Sequence, residues 1–143
     1  LGALYTYYTC MHIHSSGRKK KKVEVKQLLK EDNSSSFEEE MSMIQIPIIS
    51  PCELPEKKSQ QAAGFDLRAA ETAVIPENSI LSIPTGIKME IPPTYFAKLE
   101  SRSGMALKGL VVHAGVIDSD FRGEVKVLMQ NITPRAQTIH KNT

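Results

Sequence analysis

Three stretches of this sequence carry residue types suited to a flat, densely charged ligand. The first, Ala63-Gly64-Phe65-Asp66-Leu67-Arg68-Ala69-Ala70, places a carboxylate between apolar neighbours, after a glycine that permits close backbone approach. On a strand, Asp66 points to the face opposite Phe65 and Leu67, a pattern that an ordinary exposed strand aspartate shares. The second, Ser101-Arg102-Ser103-Gly104-Met105-Ala106-Leu107-Lys108-Gly109, offers the parts of an anion site. Arg102 supplies a planar fork for phosphate oxygens, Ser103 a hydroxyl donor and Gly104 an unobstructed N–H at a helix start. An N-cap serine opening one helical turn has the same composition. The third, Ala114-Gly115-Val116-Ile117-Asp118-Ser119-Asp120-Phe121-Arg122-Gly123-Glu124, reads as strand, turn and strand. Asp118 and Asp120 are turn formers. In a hairpin that grips a flat ligand, Asp118 is also placed to act as general base and Phe121 as a stacking surface.

The elements that must hold these groups read as β. Ile44 to Ile49 alternates and then carries Pro47, which suits an edge strand. Ile80–Ile83 and Gly86–Ile91 are short runs bounded by Pro84 and by Pro92-Pro93. Strands are also expected over Tyr95–Leu99, Leu110–Ile117 and Glu124–Gln130, the last with Val125, Val127 and Met129 on one face. One helical turn is expected at Ser103–Lys108. Short strands separated by Pro and Gly turns indicate a sandwich or barrel rather than a parallel α/β sheet.

The front of the chain differs. None of the eight prolines falls in the first 46 residues, which instead hold the basic run Arg18-Lys19-Lys20-Lys21-Lys22, a helix-like stretch from Val23 to Lys30, a serine cluster and the acidic run Glu38-Glu39-Glu40. Such charge blocks suit a tail, so residues 1–42 are expected to be a disordered or non-native extension and residues 43–143 the folded domain. The basic run is also compatible with a nuclear signal, so the expected setting is intracellular, cytoplasmic or nuclear. Cys10 and Cys52 are isolated, which favours a reducing compartment over a disulfide scaffold. His12 and His14 alternate, a pair able to bind a metal, but no acidic residue stands nearby and a tail is the expected reading.

Composition excludes further classes. The 143 residues are 41% hydrophobic and 24% charged, close to a globular average, so collagen, wholesale disorder and a coiled coil are excluded. No apolar run approaches the roughly 18 residues of a membrane helix, so no membrane partner is expected. Eighteen Lys and Arg against sixteen Asp and Glu give a net charge of +2, too small to imply nucleic-acid binding.

Taken together and in this order, the three stretches resemble the trimeric dUTPases (dUTP diphosphatases). Asp66 lies in the counterpart of that family's first motif, Arg102-Ser103-Gly104 in the second, and Gly115 through Gly123 match the third almost residue for residue. The resemblance implies an all-β, distorted jelly-roll fold (a dUTPase-like β-clip), a homotrimer with active sites between subunits, and Mg²⁺-assisted hydrolysis of dUTP to dUMP and pyrophosphate. It implies that Asp118 activates water, and that Gly115, Val116, Ile117 and Lys126 line the uracil site. It further implies that Arg102, Ser103 and Gly104 hold phosphates from a neighbouring subunit, and that Asp66 helps hold Mg²⁺ through water.

Two departures stand out. Phe121 replaces the family's usual Tyr, keeping the ring but losing the hydroxyl, so altered sugar discrimination is expected. The fourth motif, of Gly-Asp-Arg-Ile-Ala-Gln type, is expected about one strand and a turn after Asn131. Arg135-Ala136-Gln137 comes too early to be it, and residues 132–143 read as the turn and strand leading up to it. That motif and the glycine-rich fifth are missing, so the fold is expected to be truncated at its C-terminus, a fragment of the family's domain. The competing expectation is a catalytically inactive dUTPase-like chain that binds nucleotide or protein. A dCTP deaminase, which shares the fold, does not normally carry the third motif in this form.

Overall fold

The computed structural model describes residues 21–28, 41–50, 54–62, 64–93 and 95–143. Among the described residues the regular structure is nearly all β. In order, the elements are β1 (Lys21–Leu28), β2 (Met41–Ile49), β3 (Ala73–Ile75), β4 (Ile80–Met89), β5 (Ala97–Lys98), α1 (Ser103–Ala106), β6 (Leu110–His113), β7 (Val116–Ile117), β8 (Val125–Asn131) and β9 (Gln137–Ile139). Five strands form one sheet in the order β1-β2-β4-β8-β6, and β3-β9 and β5-β7 form two-stranded pairs. All pairings are antiparallel. Among the described residues no helix is long and apolar enough to cross a membrane.

Several boundaries differ from the sequence expectation, each for a local reason. The backbone over Lys21–Leu28 is a strand, not the helix-like segment expected from Val23 onward. It pairs with β2 along its whole length, and valines at alternate positions suit that geometry. The boundary expected after residue 42 therefore falls within β2. The rest of the expected tail, which includes Cys10, His12 and His14, lies outside the described residues, as does Cys52. Leu110–Ile117 is two strands, because Ala114 adopts a positive φ of 44° that breaks the ladder between β6 and β7. Residues 132–143 do form a turn and a strand, and β9 pairs with β3.

Pro84 does not end a strand as expected; β4 runs through it. Pro84 opposes Lys126 on β8, but the next opposed pair is Ile87 with Val125. Thr85 and Gly86 are thus two extra residues on β4. A one-residue bulge reverses which face each later side chain occupies, whereas a two-residue excess preserves it. Ile83, Thr85 and Ile87 accordingly all stay buried. Gly86 has φ +71°, a conformation open to glycine with little strain.

The core has two parts. Ile75, Ile83, Leu110 and Ile139 cluster with Ala69, and Ile48 and Ile87 gather Leu54, Phe65 and Leu67 around them. Each fully buried aliphatic side chain contributes on the order of 1.5–3 kcal/mol. The second cluster packs the residues flanking Asp66, so burial of Phe65 and Leu67 fixes where that carboxylate points.

Asn131, fully buried at the end of β8, joins the β3–β4 and β8–β9 connections. Its amide donates to the carbonyls of Ile75, Pro76 and Arg135, and its Oδ1 accepts from Thr133 N and Oγ1 and from Gln137 Nε2. Asn131→Ala strips several buried groups of their partner at once. Urea denaturation of the variant is expected to show a loss of about 2–4 kcal/mol.

Candidate functional site

The first two motifs meet in one chain. Asp66 forms an isolated backbone bridge with Glu56, donating its N–H to the Glu56 carbonyl at 2.9 Å. Its carboxylate faces Arg102, with Arg102 Nε 3.3 Å from Asp66 Oδ1. The second oxygen, Oδ2, is buried and has no hydrogen-bond partner among the described residues. Arg68, two residues along, is engaged elsewhere: it binds the Glu56 carboxylate and the Asn142 carbonyl. Lys58 and Arg68 beside Glu56 hold its carboxyl below the usual range, the Lys58 hydrogen bond contributing most.

Asp66 and Arg102 border a cavity of about 150 Å³. Its floor is the apolar face of the main sheet, with Ile83 from β4, Val112 from β6, and Val127 and Met129 from β8. The alternation expected in β8 is thus realised for Val127 and Met129. Arg102 is half exposed and occupies the N-cap position of α1 in extended conformation, with Ser103 the first helical residue. The N-cap serine expected as the plain structural alternative is therefore not the arrangement found, and no side chain among the described residues caps the helix. Ser103 and Gly104 are exposed on the same turn. Ser101, not singled out beforehand, ties this segment to the sheet: its Oγ accepts the N–H of Val112 at 2.8 Å.

The third motif forms an exposed turn between β7 and β8. Those strands do not pair with each other, contrary to the simple hairpin expected; β7 pairs with β5, and β8 with β4 and β6. The entry is fixed at Gly115, whose carbonyl accepts the Leu99 N–H at 2.7 Å. A Cβ at Gly115 lies 2.2 Å from the Leu99 carbonyl oxygen, so only glycine fits there without backbone movement. Within the turn, the Phe121 N–H donates to Asp118 O, and the Arg122 guanidinium donates to Ser119 O at 2.6 Å and Phe121 O at 3.0 Å. The Phe121 ring lies against Gly123, where an added Cβ would stand 2.7 Å from Cζ. Asp118, Val116, Phe121 and Lys126 are exposed, while Ile117 is half-buried.

The chain therefore assembles Asp66 with Arg102, and Gly115 with the strand before the second motif. It does not bring Asp118, Phe121 or Lys126 to the cavity, whose lining includes none of them. Among the described residues no three His, Cys, Asp or Glu side chains cluster as metal ligands.

An almost entirely β chain whose surface carries a carboxylate–guanidinium pair and a separate aspartate turn has the architecture of the solved dUTPases. The native EIAV dUTPase superposes with a TM-score of 0.62 at 28% identity, over 68% of this chain and 80% of that one. A point-mutant dUTPase from phage phi11 of S. aureus, which coordinates a structural Mg(II) ion, superposes at 0.58 with 29% identity, over 62% and 60%. In sequence, the deoxyuridine 5'-triphosphate nucleotidohydrolase of Paramecium bursaria Chlorella virus 1 is 37% identical over 101 residues, 70% of this chain and 72% of that protein. The dUTPase family model matches residues 50–143. This chain belongs to the dUTPase family. It spans about half to three-quarters of the length of the nucleotidohydrolases it matches.

Gly115→Ala forces a methyl group into the Leu99 carbonyl. Thermal denaturation is expected to show about 1–3 kcal/mol of lost stability, the usual cost of overpacking, with displacement of the turn that follows.

Proposed function

We propose that this chain hydrolyses dUTP with Asp118 as general base. Water attacks the α-phosphorus, its proton passes to the Asp118 carboxylate, and the bond from the α-phosphorus to its bridging oxygen breaks, releasing pyrophosphate and leaving dUMP. Gly115, Val116, Ile117 and Lys126 border the base site. Uracil is selected because cytosine exchanges an acceptor for a donor and leaves buried groups unpaired. Phe121 stacks against deoxyribose. Arg102, Ser103 and Gly104 hold phosphate oxygens, offsetting charge that builds as the α-phosphorus is attacked.

The observation that carries this reading is the separation of the groups. Asp66 and Arg102 face one cavity, while Asp118 stands on an exposed turn outside its lining. A homotrimer in which one subunit supplies Asp118 and another supplies Arg102 unites them. Asp66 suits the magnesium role: its buried Oδ2 lacks a hydrogen-bond partner among the described residues, and Mg²⁺ takes one or two carboxylates while keeping several waters. Bound there, Mg²⁺ supplies charge neutralisation at the phosphates.

A pyrophosphate-release assay on the full chain, with native mass measured alongside, tests the proposal. Asp118→Asn is expected to reduce turnover by about 10²–10⁴-fold, the usual contribution of a positioned base, and chelation of Mg²⁺ to suppress it. Turnover that survives Asp118→Asn removes the assigned base. A second measurement addresses the sugar: Phe121→Tyr is expected to change the ratio of kcat/KM for dUTP over UTP, while leaving the fold intact.

A further inference from the structure

The turn that bears Asp118 is held at its entry by Gly115 and Leu99 and internally by Arg122, and its exit has a side-chain clamp of its own. The extra residues Thr85 and Gly86 on β4 have no opposite number on β8, so their backbone groups need other partners. Glu124 supplies one: its Oε1 accepts the Gly86 N–H at 2.8 Å. Thr85 supplies the rest of the seam. Its buried hydroxyl donates to the Val125 carbonyl at 2.6 Å and accepts the Ile87 N–H at 3.2 Å. Glu124 is the last residue before β8, six positions after Asp118, and it is half-buried. No other side chain among the described residues bonds Gly86 N.

We infer that Glu124 is a positioning residue for the catalytic turn. It does not touch substrate. It acts as a backbone-amide acceptor, locking the turn's exit to the β4 bulge so that Asp118 is presented at a fixed height above the sheet. What matters on this account is an oxygen at the reach of a glutamate side chain, not the negative charge. The inference rests on the reading of Asp118 as general base.

Two variants separate reach from charge. Glu124→Gln keeps an acceptor oxygen at the same length without the charge, whereas Glu124→Asp keeps the charge but is one methylene too short. Glu124→Asp is expected to lower kcat by about tenfold or more, since small misplacements of a catalytic group are costly, with KM changed by less than about threefold. Glu124→Gln is expected to retain the larger share of kcat. Backbone hydrogen exchange over residues 118–124 is expected to quicken in Glu124→Asp and to stay near the parent rate in Glu124→Gln. The opposite order, or no change in either variant, overturns the inference. A parent chain without turnover, or turnover surviving Asp118→Asn, instead defeats the functional reading; the exchange rates then still decide whether Glu124 holds the turn.

Discussion

Two residues of β4 without opposite numbers on β8 are the constraint around which the site is arranged. A buried backbone donor or acceptor left unpaired costs about 1–3 kcal/mol, so the bulge at Thr85 and Gly86 must recruit partners from outside the ladder. The bulge and the adjoining Pro84 find partners on the segments proposed to act. The Pro84 carbonyl accepts the Ala70 N–H at 2.9 Å, four residues past Asp66. Gly86 draws in the Glu124 carboxylate, six residues past Asp118. The bulge, with Pro84 beside it, thus anchors both the segment of the carboxylate proposed to face the metal and the turn proposed to carry the base.

Burial then sets directions. Phe65 and Leu67 pack around Ile48 and Ile87, and the carboxylate of Asp66 between them faces Arg102. Ser101 fastens the segment before Arg102 to β6, and Leu99 fastens it to Gly115. The exposed groups, Arg102, Ser103, Asp118 and Phe121, are each one or two residues from a group whose position is set by packing or by a backbone bond. The side chains proposed to act gain precision in this way from neighbours that are assigned no part in the chemistry.

Much of this was legible in the residue order. The β character, the short helical turn near Ser103, the strand at Glu124–Gln130 and the three motifs were all visible, because alternation, turn residues and local motif spacing are encoded within about ten residues of one another. Pro84 misled for a physical reason: a proline ends a regular ladder, but a bulge frees the backbone from needing its N–H. Gly86 two residues later was the available signal. The strand over Lys21–Leu28 was hidden because charged lysines dilute the apolar pattern, and only pairing along β2 selects the extended form. Ser101, Thr85 and Asn131 were not singled out, since a Ser, Thr or Asn acquires a role only from the backbone group that folding brings to it.

The amino-acid sequence alone determined the chemistry on offer: which carboxylates, which arginine and which glycines stand in which order, and the family those motifs mark. These are properties of neighbours along the chain. The tertiary structure decided which of them meet. Asp66 and Arg102 are brought to 3.3 Å from 36 positions apart, and Glu124 to Gly86 at 2.8 Å from 38. Asp118, by contrast, is held on a turn outside the cavity they share. Such long-range placement depends on strand register and on satisfying every buried backbone group at once, and no local window of sequence contains that condition.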